Sequence, residues 1–252
     1  MNQLSDMTHS VETFLAAQEA VVAAVAMTPR SANDKEYFPQ DWLADRVRSL
    51  GLPLYPQGRN SYPDFWIGDD GHQPIEGYEV KSLAFSKGKP ARRDYDSNST
   101  IPSGRKDGRD CFLVFFLYTG SGAAPRPVHS LCIAHGDLIN ADHETAAAHV
   151  NEGIGGFGSY GDGFIRDRKM YRFPHPLTLD ASGIGRCRLI VPEEWGIADP
   201  RLAQICTLER TLAAQALTGY SIYLDGKTKP TATTYQRPDA GQVRRFAVFE
   251  RA

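Results

Sequence analysis

Apolar residues along this chain recur with two different periods, and each change of period marks an element. Val11, Phe14, Leu15, Val22 and Val25 return every three or four positions, which predicts a helix over residues 9–27, interrupted only by the polar Gln18. Residues 31–37 are a polar link. Pro39 then suits the first position of a second helix over 39–50, stopped by Gly51 and Pro53. Trp42, Leu43 and Val47 would face inward, with Asp41, Asp45 and Arg48 outward. From Phe65 the pattern becomes strand-like. Phe65-Trp66-Ile67 and Tyr78-Glu79-Val80-Lys81 flank Asp69-Asp70-Gly71-His72-Gln73-Pro74, a dense turn signal.

Beyond this hairpin a loop of about twenty-five residues is expected, long enough to suggest a functional segment. Residues 111–118 (CFLVFFLY) form a continuous apolar run, the mark of a strand buried on both sides. Residues 128–134, 186–191 and 244–249 read as further strands, and 164–173 as a basic, strand-like segment. Asp137 would cap a helix over 137–150. Asp199 would cap another over 200–217, with Leu202, Ile205, Leu208, Leu212 and Ala213 inward. This order predicts an α/β fold: a mixed central β-sheet flanked by helices, with additional C-terminal elements. The 252 residues suit a single domain, with the glycine-rich stretch 153–163 as its possible lobe boundary. Gly153-Ile154-Gly155-Gly156-Phe157-Gly158 imitates a dinucleotide fingerprint, but it follows a helix and runs into more glycine, so it is read as a loop.

Charge alters the picture locally. The chain carries a net −2, which excludes a uniformly basic nucleic-acid-coating protein. Residues 86–109 nevertheless hold seven basic side chains against three acidic ones. A small basic face on an acidic body suits contact with a polyanion at one cleft. The four cysteines are far apart and read as buried, reduced thiols in a cytoplasmic protein, neither a zinc set nor a disulfide framework. No secretory signal or membrane-spanning run is expected.

The chemistry concentrates in the hairpin. Strand side chains alternate, so Glu79 and Lys81 share one face while Tyr78 and Val80 take the other. A hairpin symmetric about Gly71/His72 places Asp64 opposite Glu79. Two facing carboxylates repel unless a positive group lies between them, and a divalent cation is the natural occupant. The same residues would also serve as the solvated face of an ordinary surface hairpin.

Tyr62-Pro63-Asp64, a gap, then Glu79-Val80-Lys81 in an apolar strand resembles the PD-(D/E)xK nuclease superfamily, with the match running from Pro63 to Lys81. The resemblance implies a restriction-endonuclease-like core and Mg²⁺ held by Asp64, Glu79 and the backbone carbonyl of Val80. It implies that Lys81 orients the attacking water, and that an upstream acid adds to the site, for which Glu36 is preferred over Asp41 and Asp45. The expected activity is a type II restriction endonuclease acting as a homodimer on double-stranded DNA. The alternatives are a repair, junction-resolving or transposition nuclease of the same fold, or a catalytically idle DNA-binding protein. Arg92, Arg93, Ser97, Asn98, Ser99, Thr100, Arg105, Lys106 and Arg109 follow the second strand and combine phosphate-binding with base-reading side chains, so DNA contact is expected there. Arg166, Arg168, Lys169 and Arg172 form a second basic group.

Overall fold

The computed structural model describes residues 8–34, 36–58, 61–68, 73–86, 89–90, 94–97, 104–141, 152–153, 156–157, 166–168, 171–174, 186–211, 215–222, 231–236 and 241–252. Two helices come first, α1 (Thr8–Val22) and α2 (Tyr37–Ser49). Strands β1 (Leu54–Pro56), β2 (Phe65–Gly68) and β3 (Pro74–Ser86) follow. The short strands β4 (Lys89–Pro90), β5 (Asp94–Ser97) and β6 (Arg105–Lys106) lead to β7 (Arg109–Tyr118) and β8 (Val128–His135). After helix α3 (Gly136–Ala141) come β9 (Glu152–Gly153), β10 (Gly156–Phe157), β11 (Arg166–Arg168), β12 (Tyr171–Pro174) and β13 (Cys187–Pro192). The chain ends with β14 (Leu202–Thr211), β15 (Gln215–Ile222), β16 (Thr231–Gln236) and β17 (Val243–Arg251).

One 10-stranded mixed sheet organises these elements, in the order β1-β2-β3-β7-β8-β13-β17-β14, with β4 on β3 and β6 on β7. The pairs β3–β7 and β8–β13 are parallel, while the other pairs along this path are antiparallel. From Cys111 to Leu117 β7 is buried throughout, as a strand covered on both faces must be. Helices α1 and α2 cover one face, packing Phe14, Phe38, Trp42 and Leu43 against Tyr78, Phe112, Val114 and Phe116. Leu138 of α3 packs on the other face with Leu83, Leu113, Phe115, Ile190 and Phe246. The fold is therefore α/β with a large mixed sheet and few helices. Among the described residues no helix is long and apolar enough to cross a membrane.

Several expectations change. Helix α1 stops at Val22 because Ala24 adopts φ 55, while Val25 N–H returns to Ala20 O at 2.9 Å and Ala24 N–H to Val21 O at 3.0 Å. This left-handed cap ends the apolar stripe early, and Val22 is left 74% exposed. Helix α2 starts two residues before Pro39, since the Asp34 carboxylate accepts the N–H groups of Tyr37 and Glu36 at 2.9 and 3.2 Å. Most of the described residues in the expected twenty-five-residue loop are strand instead. β3 runs on to Ser86, β4 folds back on it, β5 pairs with β12, and β6 pairs with β7.

Of the expected helix over 200–217, residues 202–211 are β14 and 215–217 begin β15, while Leu212 and Ala213 lie outside the described residues. β14 hydrogen-bonds along β17, and Glu209 and Arg245 meet across that pair at 2.6 Å. Tertiary pairing overrides helix propensity here, and Ile205, at the bulge, is 42% exposed where the helix would have buried it. Cys206 is accordingly exposed and Cys187 half-buried; Cys111 and Cys132 are buried thiols as expected. The segment 164–173 divides between β11 and β12, which belong to separate small sheets. The helix from Asp137 is α3, beginning at Gly136; residues 142–150 lie outside the described residues, as does most of the proposed lobe boundary at 153–163.

Candidate active site

β2 and β3 pair with Phe65 opposite Tyr78, Trp66 opposite Gly77 and Ile67 opposite Glu76. Continued by one residue, this register sets Asp64 opposite Glu79, as the symmetric hairpin predicts. The pairing slips only between Ile67 and Gly68, nearer the turn. Tyr78 and Val80 pack toward α1 and α2, so Glu79 and Lys81 occupy the opposite face by alternation.

Asp64 lies just outside the β2 ladder and is held from three sides. Its Oδ2 accepts the Val80 N–H at 2.7 Å, its backbone carbonyl accepts the Gln57 N–H at 2.9 Å, and the Gln40 side chain of α2 hydrogen-bonds its carboxyl. Glu79 is 7% exposed and meets Lys81 Nζ through Oε1 at 2.6 Å. Its second oxygen, Oε2, is buried without a hydrogen-bond partner. Burial, and then the negative charge of Glu79, push the Asp64 carboxyl up to about 7, against the opposing pull of Lys81, the Val80 N–H and Gln40. Two carboxylates thus share a space with one ammonium, so the cluster carries one negative charge more than it balances when both are ionised.

This donor set fits Mg²⁺. The unpartnered Glu79 oxygen and the raised Asp64 carboxyl are both what a hard cation between them would relieve. Val80 gives its N–H to Asp64, and the N–H and C=O of one strand residue leave on the same side, which directs the Val80 carbonyl there as well. Among the described residues no three His, Cys, Asp or Glu side chains converge to hold a metal, so the remaining ligands would be the carbonyl and water. Mg²⁺ ordinarily keeps several waters.

The upstream contribution differs from expectation. Glu36 is exposed at the N-cap of α2, Asp41 is paired with Arg30 at 2.6 Å and Asp45 with Arg48 at 2.8 Å. Gln40, one turn after Glu36, is the α2 residue that reaches Asp64. A neutral amide carries no charge signature, although its spacing of four from Glu36 marks the same helix face.

Of the expected DNA-contacting residues, Arg92, Arg93, Asn98, Ser99 and Thr100 lie outside the described residues, and Ser97 ends β5 opposite Tyr171. Arg105 is exposed, lying 3.8 Å from Asp110 and donating to Gly108 O at 2.7 Å. Lys106 Nζ donates to the Tyr62 carbonyl, and Arg109 Nε donates to Pro74 O at 2.6 Å. Of the second basic group, Arg166 and Arg168 lie on β11 and Arg172 on β12; Lys169 lies outside the described residues. The chain matches no known family model and no curated protein.

Proposed function

We propose that this protein is a Mg²⁺-dependent nuclease that hydrolyses phosphodiester bonds in double-stranded DNA, in the manner of a type II restriction endonuclease. The observation that carries the reading is the opposition of Asp64 and Glu79 across one strand pair, with the buried Glu79 Oε2 lacking a partner and Lys81 beside it. Asp64, Glu79 and the Val80 carbonyl would hold the ion. Bound there, Mg²⁺ would supply concentrated positive charge against the phosphate. Lys81 Nζ then hydrogen-bonds the attacking water, orienting it and favouring loss of its proton. Water adds at phosphorus, its proton passing to solvent, and the P–O bond to the 3′ oxygen breaks as that oxygen takes a proton from solvent, leaving a 5′-phosphate and a 3′-hydroxyl. The burial of Glu79 favours catalysis over a purely solvated hairpin, since a surface face would leave that carboxylate exposed. A restriction activity on palindromic sites carries a homodimer with it, because two-fold protein symmetry mirrors the duplex.

The test is plasmid cleavage with Mg²⁺, comparing the natural protein with Asp64→Ala, Glu79→Ala and Lys81→Ala. Each substitution should abolish most cleavage, and Lys81→Ala should still bind duplex comparably in Ca²⁺. Discrete fragments mark a restriction enzyme, while sequence-neutral degradation marks a repair or junction nuclease of the same chemistry. Near-wild-type cutting by both carboxylate variants would sink the assignment.

A further inference from the structure

Strands β6 and β7 meet in a two-residue turn, Asp107-Gly108, with φ of 52 and 76 at its two central residues. Positive φ at both centres is the geometry that matches the twist of a hairpin, and Asp-Gly is suited to it. The turn sets Arg105 opposite Asp110 and Lys106 opposite Arg109. The base of this hairpin is fixed. Gly104 N–H donates to Asp137 Oδ1 at 2.9 Å, and Cys111 N–H donates to Gly104 O at 2.8 Å. Gly104 is seated so closely that a Cβ there would come within 2.1 Å of the His135 ring.

From this fixed base two cations reach the β2–β3 hairpin at both of its ends. Lys106 takes the carbonyl of Tyr62, two residues before Asp64. Arg109 takes the carbonyl of Pro74, the first residue of β3, and its guanidinium lies 5.8 Å from the Trp66 ring centre, two residues after Asp64. We propose that the 105–110 hairpin is a positioning clamp for the Asp64–Glu79 pair, in which Lys106 and Arg109 hold the strands that carry the two carboxylates and do not serve as phosphate contacts. The clamp's purpose rests on the proposed nuclease site, and its existence on the hydrogen bonds alone. β2 has only four residues, and where Asp64 beyond its ladder is held by Val80, Gln57 and Gln40, Lys106 adds an anchor two residues further upstream at Tyr62. A charged donor on a backbone carbonyl is a strong one, and it leaves less of the cation to offer a polyanion. Arg105, 66% exposed, remains the hairpin's outward cation.

Amide exchange on the metal-free, full-length protein reads the clamp without recourse to activity, because the Val80 N–H is the one that Asp64 accepts. Lys106→Met should speed exchange at Val80 by about tenfold or more, with Ile133 and Leu189 in the centre of the sheet keeping wild-type protection. Lys106→Arg should restore most of it, and Arg109→Met should act in the same direction as Lys106→Met. Unchanged Val80 protection in Lys106→Met overturns the proposal, and so does loss of protection throughout the sheet, which would make Lys106 a general stabilising residue. Binding of a short duplex in Ca²⁺ gives the second arm. Lys106→Met and Arg109→Met should keep the wild-type salt dependence, whereas a slope shallower by about one marks a phosphate contact and overturns the proposal. A natural protein that neither cleaves nor binds DNA removes the nuclease reading, while Val80 exchange still decides the clamp.

Discussion

Glu76 offers the sharpest quantitative expectation. It lies on the helix-facing side of β3, 4% exposed, where its Oε2 accepts the Tyr78 hydroxyl at 2.7 Å and its carboxyl accepts a backbone hydrogen bond from Ser10. In the parallel pairing of β3 with β7 it stands beside Asp110. Burial first, with a smaller push from Asp110, raises its carboxyl from 4.5 to about 8, against the hydrogen bonds from Tyr78 and Ser10. The folded protein therefore holds a proton on Glu76 through neutrality, whereas the unfolded chain releases it near 4.5. Its contribution to stability is full below 4.5, declines as pH rises, and is lost above about 8. At about 1.4 kcal/mol per pH unit, the displacement amounts to on the order of 5 kcal/mol, an upper bound because water can enter as the carboxylate forms. That is a large share of the roughly 5–15 kcal/mol that keeps a domain folded. Glu76→Gln keeps the shape and an acceptor for Tyr78 but cannot ionise. Urea unfolding of both proteins between pH 4.5 and 8.5 should give curves that nearly meet at the acid end and separate by several kcal/mol in favour of Gln at the alkaline end. Asp64 slopes in the same sense in both proteins, so the difference isolates Glu76. Parallel stability curves for the two proteins across that range would refute the reasoning.

Two further outcomes follow from the same geometry. Because Asp64 is pushed up to about 7, binding a cation must displace its proton, so Mn²⁺ affinity measured by titration should fall by about tenfold per pH unit below 7 and level off above it; a flat profile from pH 5.5 to 8 would contradict this. Gly104→Ala places a Cβ 2.1 Å from His135 and 2.6 Å from Asp137, and the forced displacement should cost about 1–3 kcal/mol in urea unfolding, with unchanged stability counting against the packing described.

The facing of Asp64 and Glu79 was legible because strand alternation and the turn at 69–74 together define the register, and the slip lies beyond Ile67, away from the carboxylates. The burial of residues 111–117 was legible for a similar reason, since an unbroken apolar run has nowhere to go but the middle of a sheet. β14 was not legible. Leu202, Ile205 and Leu208 repeat every three residues as on a helix, but the bulge between Gln204 and Cys206 interrupts the strand's alternation. The Lys106-Asp107-Gly108-Arg109 hairpin was hidden because its flanks are charged rather than alternately apolar, although Asp-Gly itself is a turn signal. Gln40 was passed over because a search for acids skips an amide, while the site uses it as a hydrogen-bond partner of Asp64.

The precision of the carboxylate pair has a source on the other face of the same strands. Phe65 follows Asp64 and Tyr78 precedes Glu79, and these two rings stack at 5.7 Å. Tyr78 stacks on Phe112 at 5.4 Å, Phe112 meets the His135 ring edge-on at 5.6 Å, and His135 meets Trp195 at 5.0 Å. Phe65, Tyr78, Phe112 and His135 are register partners in turn, so the rings form one row across β2, β3, β7 and β8. Aromatic pairs add about 0.5–1.5 kcal/mol each beyond their buried area, and only in this alignment. A slip of β3 by one residue would break the row and carry Glu79 into the face packed against α1 and α2, exchanging a ring for a charge in the core. The row therefore penalises every register except the one that sets Asp64 against Glu79. Lys106 then needs only to fix the chain before β2 that the ladder does not reach, while Arg109 ties the far end of the ladder at Pro74.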